Sequence, residues 1–82
     1  VSFAIPALVY ANSEMQDKYR SQLDLARHEY TSGKLKSAVK MYRKIYSKSQ
    51  LYKYDAMESL LSIFREMKDL DSAIEIVSED LS

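Results

Sequence analysis

A unit that appears twice at an offset of 35 residues constrains this chain more than any other feature of its sequence. Ala38-Val39 with Tyr42, after Gly33-Lys34-Leu35, is echoed by Ala73-Ile74 with Val77, after Lys68-Asp69-Leu70. A helix pair that recurs roughly every 30 to 40 residues cannot bury its apolar face alone and must stack on its neighbour. Stacked repeats commonly bind other proteins.

Composition supports helices rather than disorder or a turn-rich β domain. There is one Gly and one Pro among 82 residues, and 46% are hydrophobic. A domain of this size buries only about 60 to 65% of the surface its unfolded chain exposes, so a partner or a self-contact would help it. With no Cys there is no disulfide, thiol nucleophile or cysteine metal site, and the redox compartment stays open.

Residues 1–11 (VSFAIPALVYA) are apolar and uncharged, but a bilayer span needs about 20 such residues. Two readings compete for residues 1–12. As a secretory signal remnant, Val9 and Ala11 supply the small residues before a polar mature region at Asn12-Ser13. That reading places the protein outside the cytoplasm, and without it the cytoplasm is expected. Alternatively these residues form an apolar arm or short helix, limited by Pro6, that packs on the first repeat or on another chain. A membrane partner is expected only if residues 1–11 belong to a longer apolar segment. Val1 in place of Met is expected of a processed form or a segment.

Residues 13–82 read as one helical domain, with repeat one at about 19–50 and repeat two at about 51–82. Ser13 with Gln16 has the capping-box pattern, and Met15, Tyr19, Leu23, Ala26 and Tyr30 follow at helical spacing up to Thr31. Gly33 is the stop. A second helix over 35–47 carries Leu35, Ala38, Val39, Tyr42, Ile45 and Tyr46, a stripe wide enough to be buried against two neighbours. A third over 52–67 presents Ala56, Met57, Leu60, Leu61, Phe64 and Met67, and a fourth over 70–81 presents Ala73, Ile74, Ile76, Val77 and Leu81. Four helices with such short links are antiparallel neighbours, so the expected fold is all-α, a short stack of hairpins.

These residues resemble the tetratricopeptide repeat, a helix-turn-helix unit with small residues where its two helices pack closely. In the first unit Leu25, Ala26 and Tyr30 look like the first helix's motif, Gly33 the turn, and Ala38, Tyr42 and Ile45 the second helix's. In the second unit Leu60, Phe64, Ala73 and Val77 match. Leu61, Lys68 and Asp80 depart from the pattern, and neither unit carries the terminal proline. The resemblance covers residues 20–81 and implies a non-catalytic adaptor or scaffold that holds a peptide segment in the groove lined by the first helices. It would place Arg20, Leu23, Arg27, Tyr30 and Thr31 on one side of that groove, and Asp55, Glu58, Ser62, Arg65 and Glu66 on the other. The chaperone-binding members grip a terminal carboxylate with lysine and asparagine. Leu23 and Arg27 stand at the matching positions here, so that activity is not expected.

Charge is strongly segregated. Residues 30–54 hold seven bases and no acid, whereas residues 55–82 hold eight acids against Arg65 and Lys68. Lys36, Lys40, Lys44 and Lys48 share one helix face, and Asp71, Glu75 and Glu79 share another at the 35-residue offset. Like charges at this spacing cost about 0.2 to 0.5 kcal/mol per pair. The stripes can therefore pair between repeats, within one chain or head to tail between chains, or simply remain solvated. Ile74, Ile76, Val77 and Leu81 predict an uncapped helical end. Its cover is expected to be the N-terminal arm of a neighbour, a second copy or further repeats of a longer protein. This gives a second function class, a structural self-assembly element in which the apolar arm and open end serve the oligomer.

Nothing predicts chemistry. His28, between Arg27 and Glu29, reads as a surface residue, and the seven tyrosines read mostly as core. The acids lie at helix ends or outer faces rather than converging as a carboxylate pair. The acidic half would repel a polyanion, which argues against nucleic acid. No cofactor or metal is expected, and the partner is a protein segment, a helix or a second copy.

Overall fold

The computed structural model describes the backbone from Ala4 to Ser82 and the side chains from Lys18 onward. It is all-α, with four helices: α1 (Ala4–Thr31), α2 (Leu35–Lys48), α3 (Lys53–Glu66) and α4 (Leu70–Leu81). Consecutive helices pack on one another, α1 on α2, α2 on α3 and α3 on α4. There is no strand among the described residues. None of the described helices is long and apolar enough to cross a membrane.

The first helix departs from expectation. It begins well before Ser13, so the Ser13–Gln16 pattern does not cap it, and it runs through Pro6. Pro6 sits in the first described turn, where backbone N–H groups have no intrahelical acceptor and the missing donor costs little. No glycine or second proline interrupts the chain between Ala7 and Ser13. The side chains of residues 1–17, including the stretch read as an arm or a signal remnant, lie outside the described residues.

The two hairpin turns are built alike. Gly33 has φ +84°, and Lys68, 35 residues later, has φ +59°. In the first turn the Ser32, Gly33 and Lys34 N–H groups donate to the carbonyls of His28 (3.0 Å), Tyr30 (3.1 Å) and Glu29 (2.9 Å). In the second, those of Met67, Lys68 and Asp69 donate to Ile63 (2.8 Å), Arg65 (3.1 Å) and Phe64 (2.8 Å). Each of the three bonds is repeated at the same offset. The pattern is a left-handed helix stop whose nested bonds satisfy the last carbonyls. The residue closing each stop then opens the next helix, since the Lys34 and Asp69 carbonyls accept from Ala38 (3.0 Å) and Ala73 (3.3 Å). Each hairpin therefore has no slack between its helices.

The link between the hairpins is different. Ser49, buried after α2, donates its N–H to the Ile45 carbonyl at 2.8 Å, and its Oγ accepts the Tyr52 N–H at 3.1 Å. Ala26, Ala38 and Ala56 are fully buried in the core, and their small side chains allow the helix backbones to approach closely. Around them lie Tyr42, Ile45, Leu60, Ile63, Phe64 and Ile76. Ile63, absent from the expected stripe, is fully buried because α3 is covered by both α2 and α4 and needs a wider apolar arc. Met67, expected in that stripe, lies at the helix end and is exposed.

Two outcomes test this account. Leu60→Ala is expected to cost about 2–5 kcal/mol, a large share of the 5–15 kcal/mol typical of a whole domain, whereas Leu25→Ala at the exposed face should stay within about 0.5 kcal/mol. Urea unfolding followed by circular dichroism separates them. The turns predict opposite signs at equivalent positions. Nothing lies within 4 Å of a Cβ built on Gly33, so Gly33→Ala carries backbone strain alone and should lose about 1 kcal/mol. Lys68→Gly relieves the same strain against a glycine entropy cost and should gain up to about 1 kcal/mol. Equal signs for the two would contradict the shared turn geometry.

Candidate functional site

Three surfaces follow from this packing. The first is the face of α1 and α3 where the resemblance implies a groove. Arg20, Arg27, Thr31, Asp55, Glu58 and Arg65 are exposed, while Leu23, Tyr30 and Ser62 are half-buried. The Tyr30 hydroxyl donates to Glu66 Oε2 at 2.8 Å and ties the C-terminal ends of α1 and α3 together. The hydrogen bond it donates to Glu66, then partial desolvation and the carboxylate's charge, hold the Tyr30 phenol above its ordinary range. Tyr30 is thus a strut of the stack as well as a groove residue. The described cleft lies elsewhere, on the outer side of the first hairpin, lined by Gln22, Leu25, Met41 and Lys44.

The second surface is the pair of charge stripes. Lys36, Lys40, Lys44, Lys48, Asp71, Glu75 and Glu79 are all exposed. Within one chain they do not meet: α3 stands between α2 and α4, and among the described residues no ion pair joins the stripes. The contacts that do form involve other charges. Lys53 Nζ lies 3.7 Å from Asp80 Oδ1 and 5.3 Å from the Tyr46 ring centre, linking α2, α3 and α4. Arg43 lies over the Phe64 ring at 5.6 Å. Asp80, read as an outer-face acid, is turned inward by Lys53.

The third surface is the outer face of α4, and here the expected set needs correction. Ile76 is buried, 2% exposed, and belongs to the core. Leu70 takes its place: Leu70, Ile74, Val77 and Leu81 are 68%, 63%, 36% and 81% exposed. Their spacings of four, three and four put them on one stripe, with Asp71, Glu75 and Glu79 running beside it. The α4 helix therefore has two apolar arcs. Ala73 and Ile76 face α3, and the other arc has no neighbour among the described residues. Periodicity shows that both arcs exist, and only packing shows which is covered.

Asp69 fixes the start of this helix. Its Oδ2 accepts the Ser72 hydroxyl at 2.7 Å and its Oδ1 accepts the Ser72 N–H at 3.2 Å. These two bonds, with help from Arg43, hold the carboxyl below its ordinary value of 3.8. A depressed folded-state pKa stabilises the fold above the unfolded value and loses that stabilisation as pH falls through the folded one. Among the described residues, no group of three His, Cys, Asp or Glu side chains is placed to hold a metal ion. His28 is exposed.

No protein-family model, curated protein or solved structure matches this chain.

Asp69→Ala should lower the melting temperature at neutral pH, and the gap to the parent should close as pH is taken below the ordinary carboxylate range. Thermal melts at pH 7 and near pH 2 check this, and a gap of unchanged size at the lower pH would show that Asp69 caps α4 without its charge.

Proposed function

We propose that this chain is a non-catalytic protein-interaction module of the tetratricopeptide-like kind, and that its docking surface is the outer face of α4. The unpartnered stripe of Leu70, Ile74, Val77 and Leu81 carries this reading. The 35-residue recurrence of the hairpin turn and the buried alanines at the helix contacts support the resemblance. Two of the acids have structural partners, Asp69 as the cap of α4 and Asp80 with Lys53.

Magnitudes define the partner. Fully burying an aliphatic side chain contributes about 1.5–3 kcal/mol, so covering what these four expose supplies roughly 4–7 kcal/mol. Association costs about 4–15 kcal/mol. Apolar burial alone leaves a weak complex, and the acids beside the stripe must add to it. The partner that fits is an amphipathic helix with an apolar stripe and basic flanks, laid along α4.

A synthetic 14-residue leucine/lysine amphipathic helix serves as the probe. It should bind the intact chain, at least tenfold more weakly after Ile74→Gln with Val77→Gln, and more weakly in 1 M salt, where screening reaches about 3 Å. Fluorescence anisotropy reads both effects. Binding that the double substitution leaves unchanged would remove α4 as the docking face.

A further inference from the structure

We infer that the partner of the α4 face is the outer side of the first hairpin of a second copy of this chain, so that copies stack head to tail. This inference rests on the docking role proposed for α4 and names its occupant.

The internal junction between the hairpins supplies the template. On α2 the arc equivalent to the bare α4 stripe is Leu35, Val39, Tyr42 and Tyr46, at the 35-residue offset. Tyr42 is buried and the other three pack against the core. This arc faces α3, because Tyr46 meets Lys53 at the start of α3 while the opposite arc, equivalent to Ala73 and Ile76, faces α1. The bare stripe on α4 is thus the surface that a following hairpin covers inside the molecule.

The same comparison applies to the other end. Leu60 and Ile76, buried in the second hairpin, correspond to Leu25 and Met41 in the first. Leu25 is 55% exposed and lines, with Met41 and Lys44, the cleft on the outer side of α1 and α2. That cleft is the surface that a preceding hairpin would cover. Each end of one molecule therefore presents the counterpart of the other.

Charge selects a second copy as the occupant. Residues 18–48 hold nine bases and two acids, and residues 53–82 hold three bases and eight acids. The basic end of one copy meets the acidic end of the next, while two like ends repel. In such a stack α1 of the next copy stands between the α4 carboxylates and that copy's α2 lysines, as α3 does within one chain. The stripes therefore act through the net charge of the two ends rather than by direct pairing. The first hairpin is more polar than its counterpart, with His28 and Glu29 where Ile63 and Phe64 are buried, so this junction is weaker than the internal one and reversible. Because the two faces differ, the contact does not close at a dimer.

The test is a complementation read by light scattering. Average mass of the parent chain should rise with concentration past that of a dimer and fall at high salt. Leu25→Gln blocks one end and Ile74→Gln with Val77→Gln blocks the other, all at exposed or edge positions and with a residue that keeps helix propensity. Each variant alone should run as a monomer with unchanged helical circular dichroism, and an equimolar mixture should give a dimer and nothing larger. A parent chain that stays monomeric at millimolar concentration overturns the inference. So does a Leu25→Gln variant that dimerises alone, which would mean an α4-to-α4 contact. Either result leaves the docking role of α4 standing if the leucine/lysine helix still binds there.

Discussion

The left-handed turn at Gly33 and Lys68 is the constraint from which the rest of the structure follows. Its nested hydrogen bonds finish one helix, and the residue that completes them opens the next, so the two helices of a hairpin are joined without a flexible segment. Hairpin geometry is then set by backbone bonds rather than by side-chain choice. That lets the second hairpin keep the first one's shape while changing its surface residues. Lysine at the second turn shows the strength of the constraint: the chain accepts the left-handed strain at a residue with a Cβ rather than lose the turn.

A shared hairpin shape makes position, rather than residue type, the determinant of burial. Leu25 and Leu60 are the same amino acid at equivalent places, yet one is 55% exposed and the other fully buried. The difference is that α3 has a helix on each side and α1, over its described side chains, has one. The same holds for Tyr42, buried, and Val77, partly exposed. Each hairpin carries apolar surface on both sides, and among the described residues one such surface at each end has no neighbour.

Much of this was legible in the sequence. Helical spacing placed α2, α3 and α4 to within two residues, and the 35-residue recurrence anticipated the equivalence of the two turns. What failed has specific physical causes. The Ser13–Gln16 pattern marks a helix start, but a cap contributes only about 1 kcal/mol and does not end a helix that no glycine or proline interrupts between Ala7 and Ser13. Ile76 reads as part of the open end because α4 bears two apolar arcs, and periodicity does not say which one meets α3. Leu70 reads as the first residue of a helix, and only the packing shows it on the open face. The inward turn of Asp80 depends on Lys53, almost thirty residues away, which no local pattern connects.

The segregation of charge takes its meaning from this geometry. Were the two stripes on neighbouring helices, they would pair within the chain and bear only on its stability, by little, since exposed pairs contribute about 0 to 1 kcal/mol. With α3 between them they cannot pair, and each runs unrelieved along its helix. A row of like charges on a helix is mildly unfavourable to the monomer. It is also a source of long-range attraction for any surface of opposite sign. In the inferred stack the rows remain one helix apart, as they are within the chain, and what changes is that a net acidic end faces a net basic one. On the inferred stacking, the feature that costs the single chain a little stability is the one that orients one copy toward the next.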